Sequence, residues 1–206
     1  MRTLTTIAAF IALGVSALAA PPVPRQAKEL DVAEPSGAHH LLSSYKGKVV
    51  VVQFLFTTCP HCQAFSRDVL TKLQQDYGPR GFQALGVAFD EDDNNKVKAY
   101  VSTYKVGFPV GPAARDTVLS FLGFSIMDRL VVPQIAVIDK KGMLVQQTEA
   151  NPDGPAKLQN EAYLRGLVES LLGGAPSTSN AKPGTTSPSN SNAPKKATDG
   201  KKPVSE

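Results

Sequence analysis

Val49-Val50-Val51-Val52-Gln53-Phe54-Leu55-Phe56-Thr57-Thr58-Cys59-Pro60-His61-Cys62-Gln63 is the stretch on which the fold turns. Apart from Gln53, its first eight residues are β-branched, aliphatic or aromatic, and such a run reads as a buried strand. From Gln63 to about Tyr77 the apolar residues Phe65, Val69, Leu70 and Leu73 recur at helical spacing. Cys59-Pro60-His61-Cys62 therefore stands at a strand-to-helix junction, and it holds the only two cysteines of the 206 residues. A first cysteine at a helix N-terminus meets free backbone N–H groups and the positive end of the helix dipole, which stabilise a thiolate. Thiol–disulfide exchange requires that anion. A ring closed between residues three apart adds little stability by restraining the unfolded chain, so the pair reads as chemistry and not as a staple.

Working outward, Tyr45-Lys46-Gly47-Lys48 reads as a turn and Gly78-Pro79-Arg80-Gly81 ends the first helix. Phe82 to Phe89 predicts a second apolar strand, and Asp90 to Asn95 a polar loop with helix-start character. Lys96 to Lys105 predicts a short amphipathic helix carrying Val97, Tyr100, Val101 and Tyr104, whose tyrosines read as core packing. A third helix is expected from Ala113 to Leu122. Val131 to Asp139 and Met143 to Thr148 predict two strands joined by a hairpin at Asp139-Lys140-Lys141-Gly142. A closing helix, Leu158 to Leu172, is followed by Gly173-Gly174, which suits a C-cap. This order implies an α/β fold with a mixed sheet covered on both faces.

The ends read differently. Residues 1–19 are expected to be a secretory signal, with Arg2 as a basic start, Ile7 to Leu18 as the apolar run and Ala17-Leu18-Ala19 as the cleavage box. An uncleaved membrane anchor is the alternative. No cysteine stands at the cleavage point, which excludes a lipoprotein. Residues 20–28 read as a linker, 29–173 as the folded domain and 174–206 as a disordered low-complexity tail rich in Ser, Pro, Asn and Lys. Lysines outnumber acids by three in that tail, so most of the net charge of +4 belongs to it. The folded body carries no basic surplus that would point to nucleic acid. Weak contact of the tail with membrane or cell wall stays open.

Val49 to Gln63, Phe82 to Glu91 and Val131 to Gly142 resemble the matching blocks of thioredoxin-like proteins, most closely the exported TlpA/ResA-type thiol–disulfide oxidoreductases. The resemblance implies a thioredoxin-like three-layer α/β/α sandwich with a mixed central sheet and a cis-proline loop. It implies that the Val132–Pro133 bond is cis and lies against the cysteines, where it would hold the extended backbone of a protein substrate. By the same resemblance, Cys59 is the nucleophile and Cys62 resolves the mixed disulfide, the two forming a redox-active Cys59–Cys62 disulfide. Glu91 matches an acid that assists proton movement at the buried thiol, a role that Asp90 could also fill. Gln53 stands where thioredoxins carry a buried acid, and an amide there cannot accept a proton.

The Cys59-Pro60-His61-Cys62 motif also matches the disulfide oxidase DsbA, as does Val132 before Pro133. A protonated His61 would stabilise the Cys59 thiolate and make the disulfide a stronger oxidant. The scaffold resembles reductants, and the stretch between Phe89 and Val131 is too short for the helical insertion of DsbA. Direction therefore stays open. Thr58 replaces the tryptophan common before the first cysteine. Expected partners are proteins with thiols or disulfides and a redox partner that resets the pair, with no nucleic acid, no cofactor and no metal. Two other readings on this scaffold are weaker. A Sco-like copper carrier needs a longer cysteine spacing and a downstream histidine, whereas His39 and His40 lie upstream and read as surface residues. A peroxide reductase needs proline and threonine before Cys59 at the positions of Val52 and Phe56.

Overall fold

The computed structural model describes residues 21–90, 93–150, 152, 154 and 156–173. The expected signal segment, the tail from residue 174 and Glu91 lie outside the described residues. The strands are β1 Arg25–Gln26, β2 Asp31–Ala33, β3 His39–Leu41, β4 Val49–Leu55, β5 Phe82–Ala88, β6 Val110–Pro112, β7 Gln134–Ile138 and β8 Met143–Gln147. The α-helices are α1 Pro60–Ala64, α2 Thr71–Tyr77, α3 Asn94–Tyr104, α4 Arg115–Leu122 and α5 Glu161–Leu172. A π-helical stretch, Phe65–Leu70, joins α1 to α2 without a break.

The main sheet runs β1-β8-β7-β4-β5-β6, and β2 and β3 form a separate hairpin. Every residue of β4 is buried, because it pairs in parallel with β5 and antiparallel with β7. Alternation along β4 divides the core. Val49, Val51 and Leu55 face Cys62, Leu73, Tyr100, Leu164 and Val168, while Val50, Val52 and Phe54 face Leu30, Val118, Phe121 and Leu122. A strand buried on both faces needs the continuous apolar run that the sequence supplies.

Four short strands, β1, β2, β3 and β6, were not legible in the sequence, since their pairing comes from the edges they meet. The expected linker 20–28 contains β1, which pairs with β8 through Arg25↔Leu144 and Gln26↔Met143. Arg25 holds it there, donating to the carbonyls of Phe121 at 3.3 Å and Leu122 at 2.8 Å and to Gln147 Oε1 at 2.9 Å. Those carbonyls end α4, where the helix leaves them without intrahelical donors, and Gln147 Nε2 also donates to the Leu122 carbonyl at 3.0 Å. The third strand of the main sheet begins at Gln134 and not at Val131, because the cis Val132–Pro133 peptide bends the chain ahead of it. The last helix begins at Glu161, after a 3-10 turn at Lys157–Gln159, and Asn160 caps it by accepting from the Tyr163 amide at 3.0 Å.

Candidate active site

β4 ends at Leu55, and the chain turns through Thr57 and Thr58 into α1. Cys59 is the N-cap of that helix, with extended backbone, and Pro60 takes the first helical position, where its missing N–H costs nothing. The amide of Cys62 points at the Cys59 sulfur from 3.4 Å. Cys59 is half-buried, Thr58, Pro60 and His61 are exposed, and Cys62 is fully buried. Both cysteines are free thiols. One sulfur is thus within reach of a partner and the other is stored behind it.

The cis Val132–Pro133 peptide lies against the pair, with Cys59 Sγ 4.0 Å from the Val132 carbonyl oxygen. Its neighbours are tied down. Gln134 Nε2 donates to the Val131 carbonyl and Gln159 Nε2 to the Pro133 carbonyl, each at 2.9 Å. Thr148 Oγ1 fixes Gln134 in turn through its side-chain oxygen.

Behind Cys62 is a buried polar network. Gln53 Nε2 and the Tyr100 hydroxyl each donate to the Cys62 carbonyl at 3.1 Å. Ser66 Oγ donates to Gln53 Oε1 at 2.6 Å and lies 2.7 Å from the Tyr100 hydroxyl. Buried polar groups are tolerated when paired in this way. The π-helical stretch that follows alters the usual bonding of the helix head, a distortion common next to functional sites. Burial, then the hydrogen bond with Cys59, raises the Cys62 thiol well above the ordinary cysteine range. Burial likewise raises the Tyr100 phenol.

Asp90 follows β5 at the same end of the sheet. Its Oδ2 accepts from the Thr57 amide at 2.7 Å and from the Thr57 hydroxyl at 2.6 Å. Sequence reading passed over Ser66, Thr57 and Gln159 and took Tyr100 as plain core. A serine four residues after Cys62 on an otherwise apolar helical face was the signal available for Ser66. His39 and His40 sit on β3, where His39 Nδ1 meets Asp31 Oδ2 and His40 Nδ1 meets the Tyr45 hydroxyl, each at 2.8 Å. Among the described residues no group of three or more His, Cys, Asp or Glu is gathered as a metal site.

The fold and the paired thiols define the class: a thioredoxin-like thiol–disulfide oxidoreductase of the TlpA/ResA type. The chain belongs to the Redoxin family, whose model matches residues 19–162. It is 26% identical over 144 residues to the thiol-disulfide oxidoreductase ResA of Bacillus thuringiensis, covering 70% of this chain and 78% of that protein. It is also 26% identical over 126 residues to the thioredoxin-like protein YneN of Bacillus subtilis, covering 58% of this chain and 67% of that protein. Among solved structures, a thioredoxin-family thiol:disulfide interchange protein of Chlorobium tepidum superposes with a TM-score of 0.61 at 27% identity, over 74% of this chain and 99% of that one.

Proposed function

We propose that this protein is exported and exchanges disulfides with protein substrates through Cys59 and Cys62. The observation that carries the reading is the asymmetry of the pair: one sulfur half-exposed at a helix N-cap, the other buried behind it. In the reducing direction the Cys59 thiolate attacks a substrate disulfide, its sulfur bonds to one substrate sulfur, and the other leaves as a thiolate. Cys62 then attacks Cys59, the Cys59–Cys62 disulfide forms, and the second substrate thiol departs. Run backwards, the same steps oxidise a dithiol. The Val132 carbonyl beside Cys59, with both flanking carbonyls already committed, supports a docking edge for an extended substrate backbone. Pro60 presets the helix start, and exposed His61 supplies positive charge beside Cys59 when protonated. The acidic role expected of Glu91 rests on the sequence. Export rests on residues 1–19, and the extracytoplasmic compartment would then supply both clients and the partner that resets the pair.

Trapping tests this reading. Cys62→Ala should accumulate mixed disulfides through Cys59 in the extracytoplasmic fraction, and Cys59→Ala should accumulate none. An absence of adducts in both would overturn it. The reduction potential assigns direction: a value near roughly −270 mV makes the protein a reductant, and one near roughly −120 mV an oxidant.

A further inference from the structure

Ring closure asks the Cys62 sulfur to meet the Cys59 sulfur in line with the bond to the client, and its rate depends on how well the attacking group is held. In the free protein both backbone groups of Cys62 are held. Its amide points at Cys59 Sγ from 3.4 Å. Its carbonyl accepts from the Phe65 amide, and from Gln53 Nε2 and the Tyr100 hydroxyl at 3.1 Å each. The two holds differ during turnover. Once Cys59 is bonded to a client, its sulfur no longer carries the negative charge that makes a strong acceptor, and the hold on the amide weakens. The hold on the carbonyl involves neither sulfur and persists.

That carbonyl is gripped from outside the helix. Gln53 belongs to β4 and Tyr100 to α3, so the grip ties the head of α1 to two other elements. Ser66 joins them, donating to Gln53 Oε1 at 2.6 Å and lying 2.7 Å from the Tyr100 oxygen. The contacts close a ring from the Cys62 carbonyl through Gln53, Ser66 and Tyr100 and back. The Tyr100 hydrogen has two acceptors in reach, Ser66 Oγ and the carbonyl, so the members depend on one another. The Tyr100 ring is itself steadied by Tyr104, tilted against it with centroids 5.4 Å apart. Gln53, Ser66 and Tyr100 are all buried, and a buried network is rigid when every member is paired.

We propose that Ser66 and Tyr100 are positioning residues for the resolving cysteine: they fix the Cys62 carbonyl and so keep its sulfur at high effective concentration against Cys59 while a client is bound. This rests on the exchange reading above. Their hydrogen bonds run to the carbonyl, to Gln53 and to each other, so they act through the backbone of Cys62. In the step they serve, Cys62 gives its proton to the buffer and its sulfur bonds to the Cys59 sulfur. The bond from Cys59 to the client breaks, and the client leaves with the electron pair as a thiolate. The cysteine pair is oxidised and the client reduced. Without the grip, the helix head gains backbone freedom that closure must then remove. The ring closes more slowly, and the closed form loses ground to the open dithiol.

Rapid mixing of the reduced protein with dithiobis(nitrobenzoate) separates attack from closure. One chromogenic thiolate is released as Cys59 attacks the reagent and a second as Cys62 closes the ring. Tyr100→Phe and Ser66→Ala should each slow the second release about tenfold and leave the first within about twofold. The double variant should close within about twofold of Tyr100→Phe, since the two residues act as one unit. In a dithiothreitol redox buffer, the equilibrium constant for forming the disulfide should fall about tenfold in each single variant, a midpoint about 30 mV less negative. Leu122→Ala, which lowers stability from the opposite face of the sheet, should leave closing rate and midpoint within about twofold of the unaltered protein. An unchanged second release in either single variant overturns the proposal. So does an equal slowing in Leu122→Ala, which would make lost stability the cause, or a first release that slows as much as the second. Absence of a second release in the unaltered protein would overturn the parent reading of the pair instead, a separate outcome.

Discussion

Burying the Cys62 sulfur removes the water that would solvate its anion, and the hydrogen bond that the neutral Cys62 thiol donates to Cys59 adds to the effect. In the folded dithiol the proton is therefore held past about pH 8.5, where the cysteine of an unfolded chain ionises. Above that pH the unfolded chain binds fewer protons than the folded one, so stability falls as pH rises. We expect the reduced protein to lose about 1.4 kcal/mol more than Cys62→Ala between about pH 9 and pH 10, read from urea midpoints. The oxidised protein, which has no thiol to titrate, should lack the same component. At this scale much of the site was legible. Two cysteines at a strand–helix junction and a proline before an apolar strand carried the reading. The network around the Cys62 carbonyl was not legible, because Gln53, Ser66 and Tyr100 come from three elements and meet only once β4, the π-helical stretch and α3 are packed.

Among elements, the long ones follow from their own residues and the short ones from their neighbours. β4 and β5 carry apolar runs that announce themselves, whereas β1, β2, β3 and β6 have only two or three residues each and exist because an edge or a side chain receives them. The β2–β3 hairpin shows how close that reception is. A Cβ on Gly111 of β6 would stand 2.3 Å from the Ala33 carbonyl oxygen, and backbone cannot swing aside as a long side chain can. Gly111→Ala should therefore cost about 1–3 kcal/mol. Amide exchange should quicken first in β2 and β3, while the Cys59 attack rate is retained. If exchange in the hairpin is unaltered, the close approach does not hold it in place.

For the whole molecule, one central strand serves two cores. Leu164 of α5 packs on one face of the sheet and Leu122 of α4 on the other, both fully buried. Leu164→Ala and Leu122→Ala should each cost about 2–5 kcal/mol. Their effects should add within about 0.5 kcal/mol, since the sheet separates them. Because β4 belongs to both cores, far-ultraviolet circular dichroism and tyrosine fluorescence should still report a single transition in each variant. Two separated transitions would mean that the faces unfold independently. The layered arrangement was readable from the order of strands and helices, since apolar runs alternating with amphipathic ones leave a covered sheet as the way to bury both.

The π-helical stretch at Phe65–Leu70 holds one residue more than an α-helical turn would over the same span. Lengthening of that kind is absorbed where it occurs: the segment before it still delivers Cys62 to the interior, and the segment after it still delivers Leu73 and Tyr77. The rod behaves as two independently phased halves. Its thiol-bearing head can be altered to suit a new client without a matching alteration, residue for residue, at the end that anchors it.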